Sequence, residues 1–490
     1  MSIRTGSPSS CSSAPTRGRS TMRAEDMPAG PAPDRIASLR AHLPDSQVLD
    51  RDALAARDPG WDAGNLNALA LVRPGSVAEV IGLVSWCRAH RCAFVPQGGR
   101  TGLVGGSITA PDQLICDLGA LDTIEEIDPA SGIAVVQAGV TLSALQEAAA
   151  AFGLHPGLDL AARGSATIGG LIATNAGGIT AFRTGVMRHR VLGLEAVLPD
   201  GRLVDDMTRV LKTSAGYDVK QLLIGAEGTL GIVTRAVIRL DPLPNGRATA
   251  LLGTTGAAQA LDIVRHLRGG SSPLLAAEIM WSGFAAVTCA AIGIDPAQLP
   301  LRSSCLLLVE LGAASFEAAR SALEDALAAL AETEPDLDGI VSASMAQSAQ
   351  LWRLREDTDV LYRLHPQAPS YDISLPARAF DAYVARLRPA LKAIGPAIEP
   401  YLFGHLADGN LHIVLNRAGP LQPDVQAAVE AAIYGELRGL GGSFSAEHGI
   451  GSKRIAALQR HADPVKLALM AELKRLFDPD NLCNPGKVVA

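Results

Sequence analysis

The sequence predicts an α+β protein built from two differently composed domains. At 490 residues the chain exceeds one ordinary core, because domains average roughly 150 residues. Residues 34–244 crowd glycines among short apolar strands, whereas 245–452 carry fewer glycines and several Ala-rich helical runs. No G-x-G-x-x-G stands between a strand and a helix, so a dinucleotide-binding Rossmann unit is not expected.

In order, residues 1–33 are rich in Ser, Pro, Arg and Gly and are expected to be disordered. From Ala70 the pattern turns regular: ALALVRP as a strand, then a helix through SVAEVIGLVSWCRAH with Val77, Val80, Ile81 and Val84 on one face. CAFVPQ is a short strand running into GGRTGLVGGS, whose glycines at 98, 99, 102, 105 and 106 suit a loop wrapped around an anion. A flexible linker is the alternative. ARGSATIGGLIATNAGG (162–178) repeats the theme, and two such loops can clamp a long phosphate-bearing ligand. In the third glycine-rich stretch, 212–240, alternation after Gly231 predicts a strand.

The second half alternates CLLLVEL, a helix over 316–332 and GIVSASM. LWRLREDTDVLY (351–362) sets Arg355 on a helix, where a solvated arginine is the ordinary outcome. Helices are also expected near 422–438 and through KLALMAELKRLF before DPDNLCNPGK ends the regular structure.

Between them lies GHLADGNLH (404–412). Asp408-Gly409 signals a two-residue type I′ turn, which would pair Leu406 with Leu411 and His405 with His412. Opposed residues have Cβ atoms about 4.5–5.5 Å apart, near enough for two imidazoles to share a metal ion. A surface hairpin with incidental histidines is the competing reading. In GGSFSAEHGIGSKR, adjacent Glu447 and His448 would diverge on a regular strand, but the surrounding glycines allow a bend that turns both to one site.

The formal charge of −7 and the lack of a basic run exclude a nucleic-acid footprint. Seven scattered cysteines fit no metal spacing or disulfide framework and are expected to be reduced. No apolar run is long enough for a transmembrane helix. A cytoplasmic protein is expected, or a mitochondrial one if the Arg- and Ser-rich N-terminus is a transit peptide.

VPQGGRTGLVGGS, TIGGLIATNAGG, GYDVKQLLIGAEGTLGIVT, FGHLADGNLH, AEHGIGSKR and NPGK follow one another between Ala68 and Val489. In these motifs the chain resembles the FAD-linked D-2-hydroxy acid dehydrogenases of the vanillyl-alcohol-oxidase superfamily, which include D-lactate, glycolate and D-2-hydroxyglutarate dehydrogenases. The resemblance implies a two-part PCMH-type FAD-binding domain over 34–244, a ferredoxin-like α+β substrate cap over 245–452, and a C-terminal segment, 453–490, returning to the FAD domain. It also implies FAD contacts at Pro96, Gln97, Gly98, Gly99, Arg100, Thr101, Gly102, Leu103, Gly105, Gly106, Ser107, Gly164, Ser165, Thr167, Gly169, Thr174, Gly178, Glu227, Gly228, Ile232, Val233 and Asn484. Arg100 stands where some relatives carry a flavin-linking histidine, so noncovalent FAD is expected. His405, His412 and Glu447 are implied as ligands of a divalent metal, Zn²⁺ by expectation, with His448 as catalytic base and Arg355 as the grip on the substrate carboxylate. The implied reaction converts a D-2-hydroxy acid to the 2-keto acid, with electrons passing to an electron-transfer flavoprotein, a cytochrome or a quinone. A homodimer is left open.

Hydroxyglutarate-type relatives carry a lysine where this chain has Ser370, an asparagine at Val414 and a small hydroxyl residue at Asp359. A dicarboxylate substrate would lose a cation and meet an anion. Three alternatives stand: a D-2-hydroxyglutarate dehydrogenase proper, a flavin-free metal-dependent hydrolase, and an FAD-holding subunit without catalysis.

Overall fold

The computed structural model describes residues 32–44, 46–295, 299 and 303–489. The disorder expected for 1–33 lies outside these, except that Ala32 and Pro33 open a helix, Ala32–His42. The first sheet sets Gln47–Asp50, Ala70–Arg73, Leu114–Asp117 and Phe94–Gln97 side by side. Its last three strands are parallel, and the helix Val77–Ala89 supplies the connection that parallel strands need. Ser76 caps that helix, accepting from Glu79 N–H, while the Glu79 carboxylate takes the Ser76 hydroxyl. Such a cap contributes about 1 kcal/mol. Val80 and Val84 of its expected apolar face are fully buried, joined by Leu83, Trp86 and Cys87. At the sheet edge Cys483 forms a parallel bridge with Phe94, which ties the C-terminus to this first unit.

A second, antiparallel sheet has the order Ile124–Asp128, Ile133–Gln137, Ile232–Arg239, Val191–Val197 and Leu203–Asp206. The central strand Ile232–Arg239 is buried at six of its eight positions, so it does not show the one-sided alternation read from the sequence. It lies between two partners with side chains packed on both faces.

The third sheet has seven strands: Gly339–Val341, Gly246–Thr254, Cys305–Ala313, Leu274–Trp281, Pro400–His405, Asn410–Leu415 and Ser370–Ser374. Every pairing is antiparallel. One face packs on the helices Ala257–Arg268, Phe316–Ala331, Phe380–Ile394 and Pro423–Tyr434. The other lies under Ser282–Ile292, Met345–Glu356 and Asp359–Leu364. The helix read through 351–362 is interrupted at Asp357, whose ψ of 55° leaves the helical region. The six described cysteines are free and buried, and no helix among the described residues is long and apolar enough to cross a membrane.

Candidate active site

The hairpin differs from the expected one. His405 pairs with Asn410 and Phe403 with His412, so a four-residue stretch, 406–409, makes the reversal. Gly409 alone in that stretch has positive φ, 82°, whereas a type I′ turn needs two such residues. Leu406 explains the difference: its side chain is fully buried and its N–H donates to Ala277 O on the neighbouring strand. His405 and His412 are therefore diagonal rather than opposed. A slip of two preserves the face, and their rings still meet edge to face at 5.3 Å.

Sheet register gives each histidine a carboxylate. Glu278 stands opposite His405 and Asp372 opposite His412. His405 Nδ1 donates to Glu278 Oε1 at 2.8 Å, and His412 Nδ1 lies 3.3 Å from Asp372 Oδ1. Glu278 and Asp372 are fully buried. The second oxygen of Glu278 accepts from Arg355 Nε at 2.8 Å, and the guanidinium lies 4.9 Å from the Phe403 ring centroid. Arg355 is thus 7% exposed, not the solvated arginine that a helix surface usually carries.

Asp372 also shapes the loop that brings Glu447 and His448 in. Its Oδ2 accepts the N–H groups of Ala446, Glu447 and His448 at 3.2, 2.7 and 3.2 Å, while Asn410 Nδ2 donates to Oδ1 at 2.7 Å. Glu227, also buried, accepts from Ile450 and Gly451 N–H at 2.7 and 2.8 Å. With Gly449 and Gly451 at φ of 82° and 51°, the backbone bends and both Glu447 and His448 face one cavity. Glu447 Oε1 reaches within 3.6 Å of His405 Nε2. Ligand atoms of Asp372, His412, Glu447 and His448 lie within 4.8 Å of one another.

The electrostatics are those of a site short of positive charge. Burial works against a charged His405, yet Glu278 and Glu447 outweigh it and raise the imidazole to about 9. Burial pushes Glu447 up to about 7, with His405 opposing and Asp372 and Asp408 adding to the rise. His412 is driven down to about 4 by burial, with Asp372 opposing. His448 is held below the usual histidine range by burial, against Asp372 and with help from Arg454. The buried Glu278 and Asp372 and the partly buried Glu447 thus share few cations. His405 and His412 both turn Nδ1 to a buried carboxylate, the arrangement that orients histidines where they hold a metal. The donor set fits a divalent cation.

The same cavity, about 810 Å³, extends to the glycine loops, a size suited to a cofactor and a small substrate. The loops 98–107 and 164–178 touch at glycine: a Cβ on Gly99 would sit 1.9 Å from Ser165 O. Pro96 to Leu103, Gly106, Ser107, Ser165, Thr167, Gly169, Thr174, Gly178, Glu227, Gly228, Ile232 and Val233 line the wall. Gly105, Gly164 and Asn484 do not. Asn484 lies behind the wall, donating to Gly106 O and Glu227 O at 3.1 and 2.8 Å. Arg100 has φ 54° and places Nη1 3.9 Å from Asp117. Gln97 Oε1 and Arg100 Nε are buried without protein partners, so the cradle keeps polar capacity for a ligand.

Residues 68–206 match the family described as FAD binding domain, and 243–488 match FAD linked oxidases, C-terminal domain. The chain belongs to the FAD-linked oxidase family. This FAD-linked oxidase is 38% identical over 432 residues to a D-2-hydroxyglutarate dehydrogenase of Xanthomonas citri pv. viticola, covering 86% of this chain and 89% of that protein. It is 34% identical to the mitochondrial D-2-hydroxyglutarate dehydrogenase of Bos taurus, covering 93% of this chain and 83% of the relative. A crystal structure of p-cresol methylhydroxylase with substrate bound superposes with a TM-score of 0.70 at 17% identity, covering 93% of this chain and 96% of that one, which shows a shared fold. The protein is an FAD-linked oxidoreductase of α+β fold, and the flavin-free hydrolase reading falls with the two family matches.

Sequence reasoning missed Glu278 and Asp372 as site residues. A usable signal for Glu278 was a lone charge in LLAAEIMW, a strand buried at all eight positions.

Proposed function

We propose that the protein oxidises a D-2-hydroxy acid to the 2-keto acid. The observation that carries this reading is the placing of His448, a largely covered ring held below the usual histidine range, in the cavity that also holds the His405–His412–Glu447 group, Arg355 and the glycine cradle. Relatives named D-2-hydroxyglutarate dehydrogenase support the substrate class.

Arg355 binds the substrate carboxylate, its orientation fixed by Glu278; a guanidinium suits that two-point grip. His448 takes the hydroxyl proton. Its Nδ1 lies 3.9 Å from Asp372 Oδ2 and 3.4 Å from Arg454 Nη2; Nε2 accepts the proton in the tautomer whose Nδ1–H is turned to Asp372. Depression of its proton affinity by burial keeps the ring neutral and ready. Bound FAD, held noncovalently by the two glycine loops, supplies the two-electron acceptor for the C2 hydrogen and its electron pair. A divalent cation, Zn²⁺ being one that suits two imidazoles and a carboxylate, would be held by His405, His412 and Glu447 and supplies Lewis acidity toward a substrate oxygen. Electrons then leave to a protein or quinone acceptor.

Turnover of D- and L-2-hydroxy acids with a dye acceptor, with the 2-keto acid assayed directly, tests the reading. Oxidation confined to D-acids is expected. A flavin-loaded protein that forms no keto acid from any D-acid would overturn it.

A further inference from the structure

We infer that the substrate's side chain bears no negative charge, and that Asp359, Ser370, Val414 and Tyr362 form the subsite that receives it. This rests on the proposed oxidation of a 2-hydroxy acid and adds its side-chain class.

The seven-stranded sheet presents three successive cross-strand rows on the face beneath Arg355. Glu278, His405 and Asn410 make the first. Phe403, His412 and Asp372 make the second, and Tyr401, Val414 and Ser370 the third. Rows two residues apart along a strand are separated by roughly 6.6 Å, about the reach of a short side chain beyond C2. The first two rows bear the imidazoles and their carboxylates, with Arg355 over Phe403. A substrate anchored there has the third row left for its side chain.

The interrupted helix covers that row. Because the chain breaks at Asp357 and restarts as Asp359–Leu364, Asp359 and Tyr362 both reach the cavity wall beside Ser370 and Val414. The Ser370 side chain lies near the Tyr362 hydroxyl. Trp61 meets Tyr362 edge to face at 5.7 Å and closes the apolar side.

Charge then decides the class. Among the described residues, the lysines and arginines on the cavity wall are Arg100 and Arg355. Arg355 belongs to the first two rows, paired with Glu278, and Arg100 lies near Asp117 in the glycine loop. The nearest acids on the covering helices are Asp359 and Glu356, the latter 3.6 Å from Arg163. A second carboxylate at the third row meets a like charge and no counter-ion. An aliphatic or aromatic side chain meets Val414, Tyr362 and Trp61. Relatives named for hydroxyglutarate, a dicarboxylate, thus differ in the predicted substrate while sharing the family.

The test compares kcat/KM for D-2-hydroxyglutarate, D-2-hydroxy-4-methylpentanoate and D-phenyllactate on the FAD- and metal-loaded enzyme. The wild type is expected to favour one of the uncharged side chains by about tenfold or more. The double variant Asp359→Ser with Ser370→Lys should move that ratio toward hydroxyglutarate by about tenfold. The single variant Val414→Asn, a smaller change to the fold, should move it in the same direction. A wild type that prefers hydroxyglutarate, or ratios that no variant moves, overturns the subsite. If none of the acids is oxidised, the reading beneath it fails as well, a result distinct from the wrong preference.

Discussion

Glu278 faces His405 in register across neighbouring strands, with its Oε1 accepting from His405 Nδ1 at 2.8 Å. Its other oxygen holds Arg355, so one buried carboxylate sets both a proposed metal ligand and the proposed substrate grip. Glu278→Gln keeps the shape and removes the charge. Orienting partners of this kind are worth about 10–100-fold in metal affinity or activity, and losses of that size are expected while the flavin spectrum persists. Metal content after dialysis, together with kcat/KM, measures it; unchanged values of both would speak against the role.

His448→Asn should lower kcat by about 10²–10⁴, the usual contribution of a general base, with flavin and metal retained. Rapid mixing that follows flavin reduction isolates the step. Reduction at the wild-type rate would remove His448 from the chemistry.

Asp372→Ala should destabilise the protein more than it empties the cradle. Removal of the carboxylate strands the Glu447 and His448 N–H groups, whereas Ala446 N–H keeps Asp372 O and Asn410 Nδ2 keeps Ile373 O. At about 1–3 kcal/mol for each group left unpaired, a loss of about 2 kcal/mol or more is expected. Thermal unfolding monitored separately by flavin fluorescence and circular dichroism would show it.

His155 gives a pH signature far from the site. Burial pushes it down to about 4, with Asp241 opposing, and its Nδ1 accepts from Gly157 N–H at 2.9 Å. The folded value lies below the unfolded one, about 6.5. The stability linked to its neutral form is therefore complete above about 6.5 and is lost as pH falls toward about 4. Between those limits Tm should fall with pH, and His155→Gln should flatten the slope. An unaltered slope contradicts the assignment.

The legible parts of the fold were those written in local pattern: the capped helix Val77–Ala89, the strand into the glycine loop, and the Glu447–His448 bend. The hairpin shows why partial knowledge sufficed. Its register was misjudged by two residues, yet His405 and His412 kept one face because strand periodicity is two. Glu278 and Asp372 stayed hidden because they come from strands more than thirty residues away in the chain, and only sheet pairing sets them opposite the histidines. The break at Asp357 was equally illegible, since the apolar spacing continues through it.

The central claim, that one cavity joins flavin, metal group and a histidine base for hydroxy-acid oxidation, is tested most directly under anaerobic conditions. The flavin absorbance is followed as a D-2-hydroxy acid is added to the enzyme as isolated, after chelation, and after Zn²⁺ is restored. The account predicts bleaching, its loss on chelation with the flavin still bound, and its return with the metal. Full bleaching by the metal-free enzyme would contradict the proposed role of His405, His412 and Glu447, and no bleaching in any state would contradict the oxidation itself.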